Sequence, residues 1–225
     1  MDVRPRTGRA PGCRRRPGPV IGRASRLSPK AAAKIAVRLR AVVDPDRIAV
    51  VLHSALTCEE LELARRIFVD GLKLRGVYFA DPRPGAADGL LLTAERVPNA
   101  RGVREAGFAP CLPDLERLSR STDVLLVFGP HLAGHFPADA LARALEPIGA
   151  KFVFTSHAGA LDGMSDRIVP VAVPYEKSGT YINIGGLRQK FAKAVEPSRG
   201  IPSEGQVLAC LARGLGLGTW ETDVG

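Results

Sequence analysis

The 225-residue chain has four cysteines, at positions 13, 58, 111 and 210, and no two of them form a C-x-x-C pair. Iron–sulfur clusters and structural zinc sites take at least two ligands from one short loop, because a loop holds them at metal-binding distance with little loss of entropy. Neither is expected here. There is no secretory apolar segment, and the chain is too long to need staples. A disulfide framework is therefore not expected either, and a reducing cytoplasm is the default setting. No apolar run reaches the roughly 18 residues that cross a bilayer, so no transmembrane segment is expected. Signatures of nucleotide and hydrolase chemistry are also missing: no G-x-G-x-x-G, no P-loop, no G-x-S-x-G elbow and no H-E-x-x-H. Aromatic residues make up only 5% of a chain that is 45% hydrophobic, a composition of Ala, Leu and Val that fits an α/β protein and not a disordered one.

Charge is present in excess, but unevenly. The chain carries 32 Lys+Arg against 23 Asp+Glu, a net charge of +9. Residues 1–27 hold eight Arg and one Asp, a net of +7, which leaves +2 for the remaining 198 residues. This opening segment mixes Arg with Pro and Gly and has almost nothing apolar to bury, so it reads as a disordered basic tail. Contact with RNA or an anionic lipid surface would rest on this tail alone. The body, residues 28–225, offers no stacking aromatics and no recognition-helix pattern, so no specific nucleic acid is expected as a partner.

From Ser28 onward, helical and strand patterns alternate. Ser28-Pro29 starts a helix in which Ile35, Leu39, Val42 and Val43 recur at helical spacing, and Asp44-Pro45 stops it. Ile48 to Leu52 is a continuous apolar run of the kind a buried parallel strand shows. Thr57 caps a second helix whose face is Leu61, Ala64, Ile67 and Phe68, with Glu59 and Glu60 near its positive end. Gly76–Ala80, Asp123–Phe128, Lys151–Thr155 and Arg167–Val173 read as further strands, with helices at Leu112–Arg120 and Pro137–Glu146. This alternation predicts a doubly wound, Rossmann-like α/β fold with a mainly parallel sheet. Past Pro174, Thr180–Ile184 and Leu187–Phe191 joined by Gly185-Gly186 read as a C-terminal β-hairpin, and Ser203–Leu215 as a closing helix.

In such a sheet ligands bind beyond the carboxyl ends of the strands, where helix N-termini and backbone amides converge. The loop from Gly129 through Gly134 to His135 follows the strongest strand and occupies that place. His131 and His135 are four apart, but no Glu lies between them and the segment reads as a loop, so two polar loop histidines are expected and not a zinc site. His157, after the next strand, can approach the same crevice. Cys58 sits beside Glu59 and Glu60, whose charge should raise its pKa and blunt it as a nucleophile.

The segment from Tyr175 to Phe191, Y-E-K-S-G-T-Y-I-N-I-G-G-L-R-Q-K-F, resembles a stretch of the molybdopterin oxidoreductase superfamily close to A-E-K-D-G-T-F-T-N-T-E-G-R-V-Q. Glu176, Lys177, Gly179, Thr180, Asn183, Gly186 and Gln189 match position for position. Asp166 and Pro170 fit the family's A-D-V-V-L-P, and Leu126 to Gly129 fits its L-V-L-G-A-x-P. Asp46 to Val51 with Leu56 to Glu60 resembles G-P-D-S-I-A…T-N-E-E. Val97 to Gly102 resembles the P-N-T-R-G of the large iron–sulfur subunit of NADH:quinone oxidoreductase, complex I, and the likeness is to the C-terminal molybdopterin-type lobe of that subunit. The family's Glu and Arg in E-G-R fall on Gly185 and Leu187, where a charged contact to a pterin would be lost. Arg188 is one place along and so on the opposite face of a strand.

This resemblance implies a structural, cofactor-free subunit or split module of a respiratory NADH:quinone oxidoreductase, without a catalytic centre of its own. Its partners would be iron–sulfur and NADH-oxidising subunits, and it would sit in the cytoplasm, peripheral to the inner membrane through them. The alternative it implies is the cofactor-binding lobe of a molybdopterin-dependent oxidoreductase such as a formate dehydrogenase. There a molybdopterin guanine dinucleotide would be held by Gly129, Gly134, Ser156, Thr180, Asn183 and Gln189. Without a cofactor those same residues have routine roles in turns, hairpin pairs and the surface.

Overall fold

A computed structural model describes residues 29–90, 93–198 and 200–220. The basic segment 1–27 and Ser28, the expected helix cap, lie outside the described residues.

Five apolar runs form parallel strands: β1 (Ile48–Leu52), β2 (Gly76–Phe79), β3 (Val124–Phe128), β4 (Ala150–Thr155) and β5 (Arg167–Pro170), ordered β2-β1-β3-β4-β5. Every residue of β1 and β3 is buried, as a continuous apolar run requires when helices cover both faces. Because side chains alternate along a strand, the sheet supplies two cores. Val50, Leu52, Leu126, Phe128 and Phe154 pack with α1 (Pro29–Ala41), α2 (Cys58–Ala64) and α6 (Glu204–Leu215). Ala49, Val51, Leu125, Val127 and Val153 pack with Leu118 of α4 (Leu115–Ser121) and with Leu141 and Leu145 of α5 (Ala138–Leu145). The fold is thus the doubly wound α/β arrangement that the sequence pattern predicts. It carries an antiparallel hairpin, β6 (Gly179–Ile182) and β7 (Arg188–Phe191), and α6 closes it. A short helix α3 (Ala100–Glu105) lies in the crossover from β2. Among the described residues no helix is long and apolar enough to cross a membrane.

Several details depart from the pattern. Val43 is 95% exposed and not on the buried face of α1, because that helix ends at Ala41. Asp44 then caps a short turn by accepting from the Asp46 N–H at 2.9 Å. β5 stops at Pro170 and does not continue to Val173, since the Ala172 N–H turns away to the Pro202 carbonyl. α2 runs on as a wide turn over Arg65–Gly71, in which the Leu72 N–H reaches back five residues to Ile67. The hairpin strands are shorter than expected because five residues, Asn183 to Leu187, make the connection. The Asn183 N–H donates to Leu187 O at 3.1 Å and Gly186 has φ +91°, a conformation that favours glycine.

Candidate functional site

The loops leaving β1 and β3 diverge, because the chain goes from β1 to β2 on one side and from β3 to β4 on the other. In an open parallel sheet such a switch point leaves a crevice at the carboxyl ends of the two strands. All four histidines of the chain gather at this edge. His53 follows β1, His131 and His135 follow β3, and His157 follows β4. Among the described residues no group of three or more His, Cys, Asp or Glu is arranged to hold a metal ion.

Each ring has a distinct setting. His53 is buried, and its Nδ1 accepts from the Ala55 N–H at 3.3 Å, which places the proton of a neutral ring on Nε2. That Nε2 lies 3.4 Å from Glu204 Oε1, a long contact that leaves it without a well-formed hydrogen bond. Gly129 packs against the same ring. A Cβ there would come within 2.9 Å of it, and φ is +83°, so both space and backbone call for glycine. His131 sits edge-on to His53 with ring centres 6.5 Å apart. Burial first, then the neighbouring His53, hold its pKa below the ordinary histidine value, outweighing the opposite pull of Asp81. His135 Nε2 donates to the Asp81 carbonyl, and His157 Nδ1 lies 2.8 Å from Ser156 Oγ.

Asp81, just past β2, reaches across the crevice. Its carboxylate accepts from the Ser54 N–H and from the Ser54 hydroxyl, each at 2.6 Å. The backbone amide that leaves β1 at the switch point is therefore already engaged by an anion belonging to the chain itself. Arg83, from the same loop, donates to the Gly134 carbonyl at 3.1 Å and ties the two sides together.

Beneath the crevice lies a buried charge cluster. Lys177 Nζ is 2.6 Å from Glu60 Oε2 and 2.9 Å from Glu204 Oε2. Burial pulls the ammonium pKa down, but the Glu204 and Glu60 carboxylates outweigh that and raise it above the usual lysine range. Burial likewise opposes ionisation of Glu204, and Lys177 together with the His53 contact reverses the balance and holds its pKa below the usual carboxylate range. Glu60 is also the reciprocal member of the capping box at α2, accepting from the Thr57 N–H at 2.8 Å, and it accepts from the Gly205 N–H at 3.0 Å. The nearby Tyr181 hydroxyl donates to Ala55 O at 2.9 Å, and burial pushes its pKa up to about 12.

The residues singled out from the sequence fall into two groups. Gly129, Gly134 and Ser156 stand at the crevice edge, as the strand-end reading anticipates. Thr180, Asn183 and Gln189 belong to the hairpin. The Thr180 N–H donates to Glu59 Oε2 at 3.0 Å, Asn183 Oδ1 closes the turn by accepting from the Leu187 N–H at 2.9 Å, and Gln189 is exposed on β7. The Cys58 pKa is raised, but burial leads and Glu59 contributes less. Glu60, expected to contribute, turns instead to Lys177. Five residues of the site were not foreseen: His53, Ser54, Asp81, Arg83 and Glu204. His53 and Asp81 carry a readable signal, since each is a polar residue at the end of an apolar strand run.

Three segments far apart in sequence meet at the hairpin. Asn99, fully buried, donates to Leu56 O at 2.8 Å and accepts from the Ile182 N–H at 2.8 Å. Arg101 packs on Gly186, and Arg188 pairs with Glu105 at 2.8 Å. A separate groove of about 480 Å³, lined by Arg38, Val43, Asp44, Arg47 and Asp123 among others, lies at the opposite, amino-terminal edge of the sheet.

No protein-family model matches this chain, and no curated protein matches it.

Proposed function

We propose that the chain is a structural, cofactor-free module of a respiratory NADH:quinone oxidoreductase-type (complex I-like) assembly, held on the cytoplasmic side of the inner membrane by partner subunits. The observation that carries this reading is the double hydrogen bond from Ser54 to Asp81, which engages the donors at the crevice end of β1 with the chain's own carboxylate. The hairpin supports it as well. Asn183 is engaged in its own turn, and the Thr180 amide is engaged by Glu59. These groups do not fit a pterin dinucleotide, because a pyrophosphate needs free donors and would have to displace the carboxylate. The resemblance adds weight, since the segments around Glu60, Asn99 and Lys177 that carry it are joined by buried polar contacts. A scaffold of this kind has a use for such contacts, since they lock separate elements in one arrangement.

The test is co-purification of the tagged full chain with NADH-oxidising, iron–sulfur-bearing subunits from its native membranes. A chain that is recovered as a stable monomer without them overturns the reading. The position of Gly129, Gly134 and Ser156 past the carboxyl ends of β3 and β4, where ligands bind in an open parallel sheet, favours the second reading, a lobe of a molybdopterin enzyme. Molybdenum, tungsten or pterin fluorescence in the purified assembly would establish that reading in place of the first.

A further inference from the structure

The hairpin has one edge sealed and one edge open. Because the Asn183 N–H bonds to Leu187 O, and strand pairing repeats every two residues, Tyr181 with Gln189 and Gly179 with Phe191 are the hydrogen-bonded pairs. The outward amides of β6, those of Thr180 and Ile182, are taken by Glu59 and Asn99 from the body of the domain. On β7 the same parity turns the N–H and C=O groups of Arg188 and Lys190 away from β6. Among the described residues no third strand covers them, since this sheet has two strands. Around that edge stand Ile184 and Leu187, 60% and 59% exposed, and three cations, Arg101, Arg188 and Lys190, against the single carboxylate of Glu105.

We propose that the open edge of β7 accepts an extended acidic segment of another subunit as a third strand. Its main chain pairs with Arg188 and Lys190, its carboxylates lie against the surplus cations, and an apolar side chain covers Ile184 and Leu187. Charge selects this occupant. A second copy pairing edge to edge would set Arg188 and Lys190 against themselves, and residues 1–27 of the chain itself carry eight Arg and one Asp. The proposal rests on the reading of the chain as a module of a multi-subunit assembly.

Lys190→Pro is the informative variant. It deletes an outward amide and a charge without touching a β6–β7 hydrogen bond, and proline is tolerated on a free edge. Lys190→Glu reverses the charge and keeps the amide, which covers the case in which the proline variant fails to fold. The full chain is co-expressed with the NADH-oxidising and iron–sulfur subunits, and retention is compared at equal unfolding midpoint, with Arg120→Glu, on α4, as the control. Expected is roughly tenfold weaker retention for each Lys190 variant, the loss of about one charge-assisted contact, with the control unchanged. Retention that is unaffected by both variants overturns the hairpin proposal and leaves the subunit reading standing. Parent chain that is never retained overturns both.

Discussion

Lys177 Nζ lies 2.6 Å from Glu60 Oε2, although the two residues are 117 positions apart and both buried. The contact fastens the segment before the hairpin to α2, and Glu204 fastens α6 to the same ammonium. Replacing Lys177 by Met would leave two carboxylates facing each other in the interior without a cation. The expected cost is about 3–5 kcal/mol in urea unfolding, and a Lys177→Met, Glu60→Gln, Glu204→Gln triple variant should recover part of it, since the uncompensated charge is then gone. A loss below about 1 kcal/mol for the single variant would mean the cluster is not holding the elements together.

The same cluster sets where pH should not matter. Glu204 has a folded pKa below its unfolded value, so its contribution is complete above the ordinary carboxylate range and lost only as pH falls through the lower folded value. Lys177 has a folded pKa above its unfolded value, so its contribution is complete below the ordinary lysine range and lost only as pH rises past it. Between about pH 5 and 10 the Glu204 and Lys177 contributions are both complete. His131 behaves differently. Its folded pKa is depressed, so below about pH 6.5 the unfolded chain binds a proton that the folded chain resists. Stability should therefore be full above that pH and fall as pH falls through the folded value. Unfolding free energies measured at about pH 7, 6 and 5 should show this slope in the parent and a flatter one in His131→Gln; equal slopes would remove His131 as the cause.

Asp81 is the residue on which the functional reading depends most directly. Asp81→Ala frees the Ser54 amide and hydroxyl and should cost about 2–4 kcal/mol, while Asp81→Asn keeps an acceptor for the amide and should cost less. With its own anion removed, the Ala variant should gain more thermal stability from inorganic phosphate than the parent does. Equal stabilisation of the two by phosphate would mean that Asp81 does not close the crevice, and the cofactor-free reading would lose its main support.

Much of this site could be anticipated strand by strand. Gly129 and His157 follow apolar runs whose burial makes the strand assignment secure, and the strand-end rule then places them. His53 and Asp81 satisfy the same rule, and only their tertiary partners show what they do. The Cys58 environment shows the limit of reasoning along the chain. Glu59 and Glu60 are the next two residues in sequence, but the helix turns one toward the hairpin and the other toward Lys177, and burial, which no local pattern reports, dominates the thiol.

By itself the sequence determined the doubly wound fold, the hairpin and the closing helix, because apolar periodicity and caps are local properties that each element carries with it. It also determined that most of the basic charge belongs to the first 27 residues. Tertiary structure alone decided that Asp81 would fill the crevice at Ser54, that Lys177 would find two carboxylates, and that β6 would have its edge sealed while β7 kept its edge open. Those outcomes depend on distances between residues tens to more than a hundred positions apart, and such distances exist only once the sheet order and the packing of α2 and α6 are set.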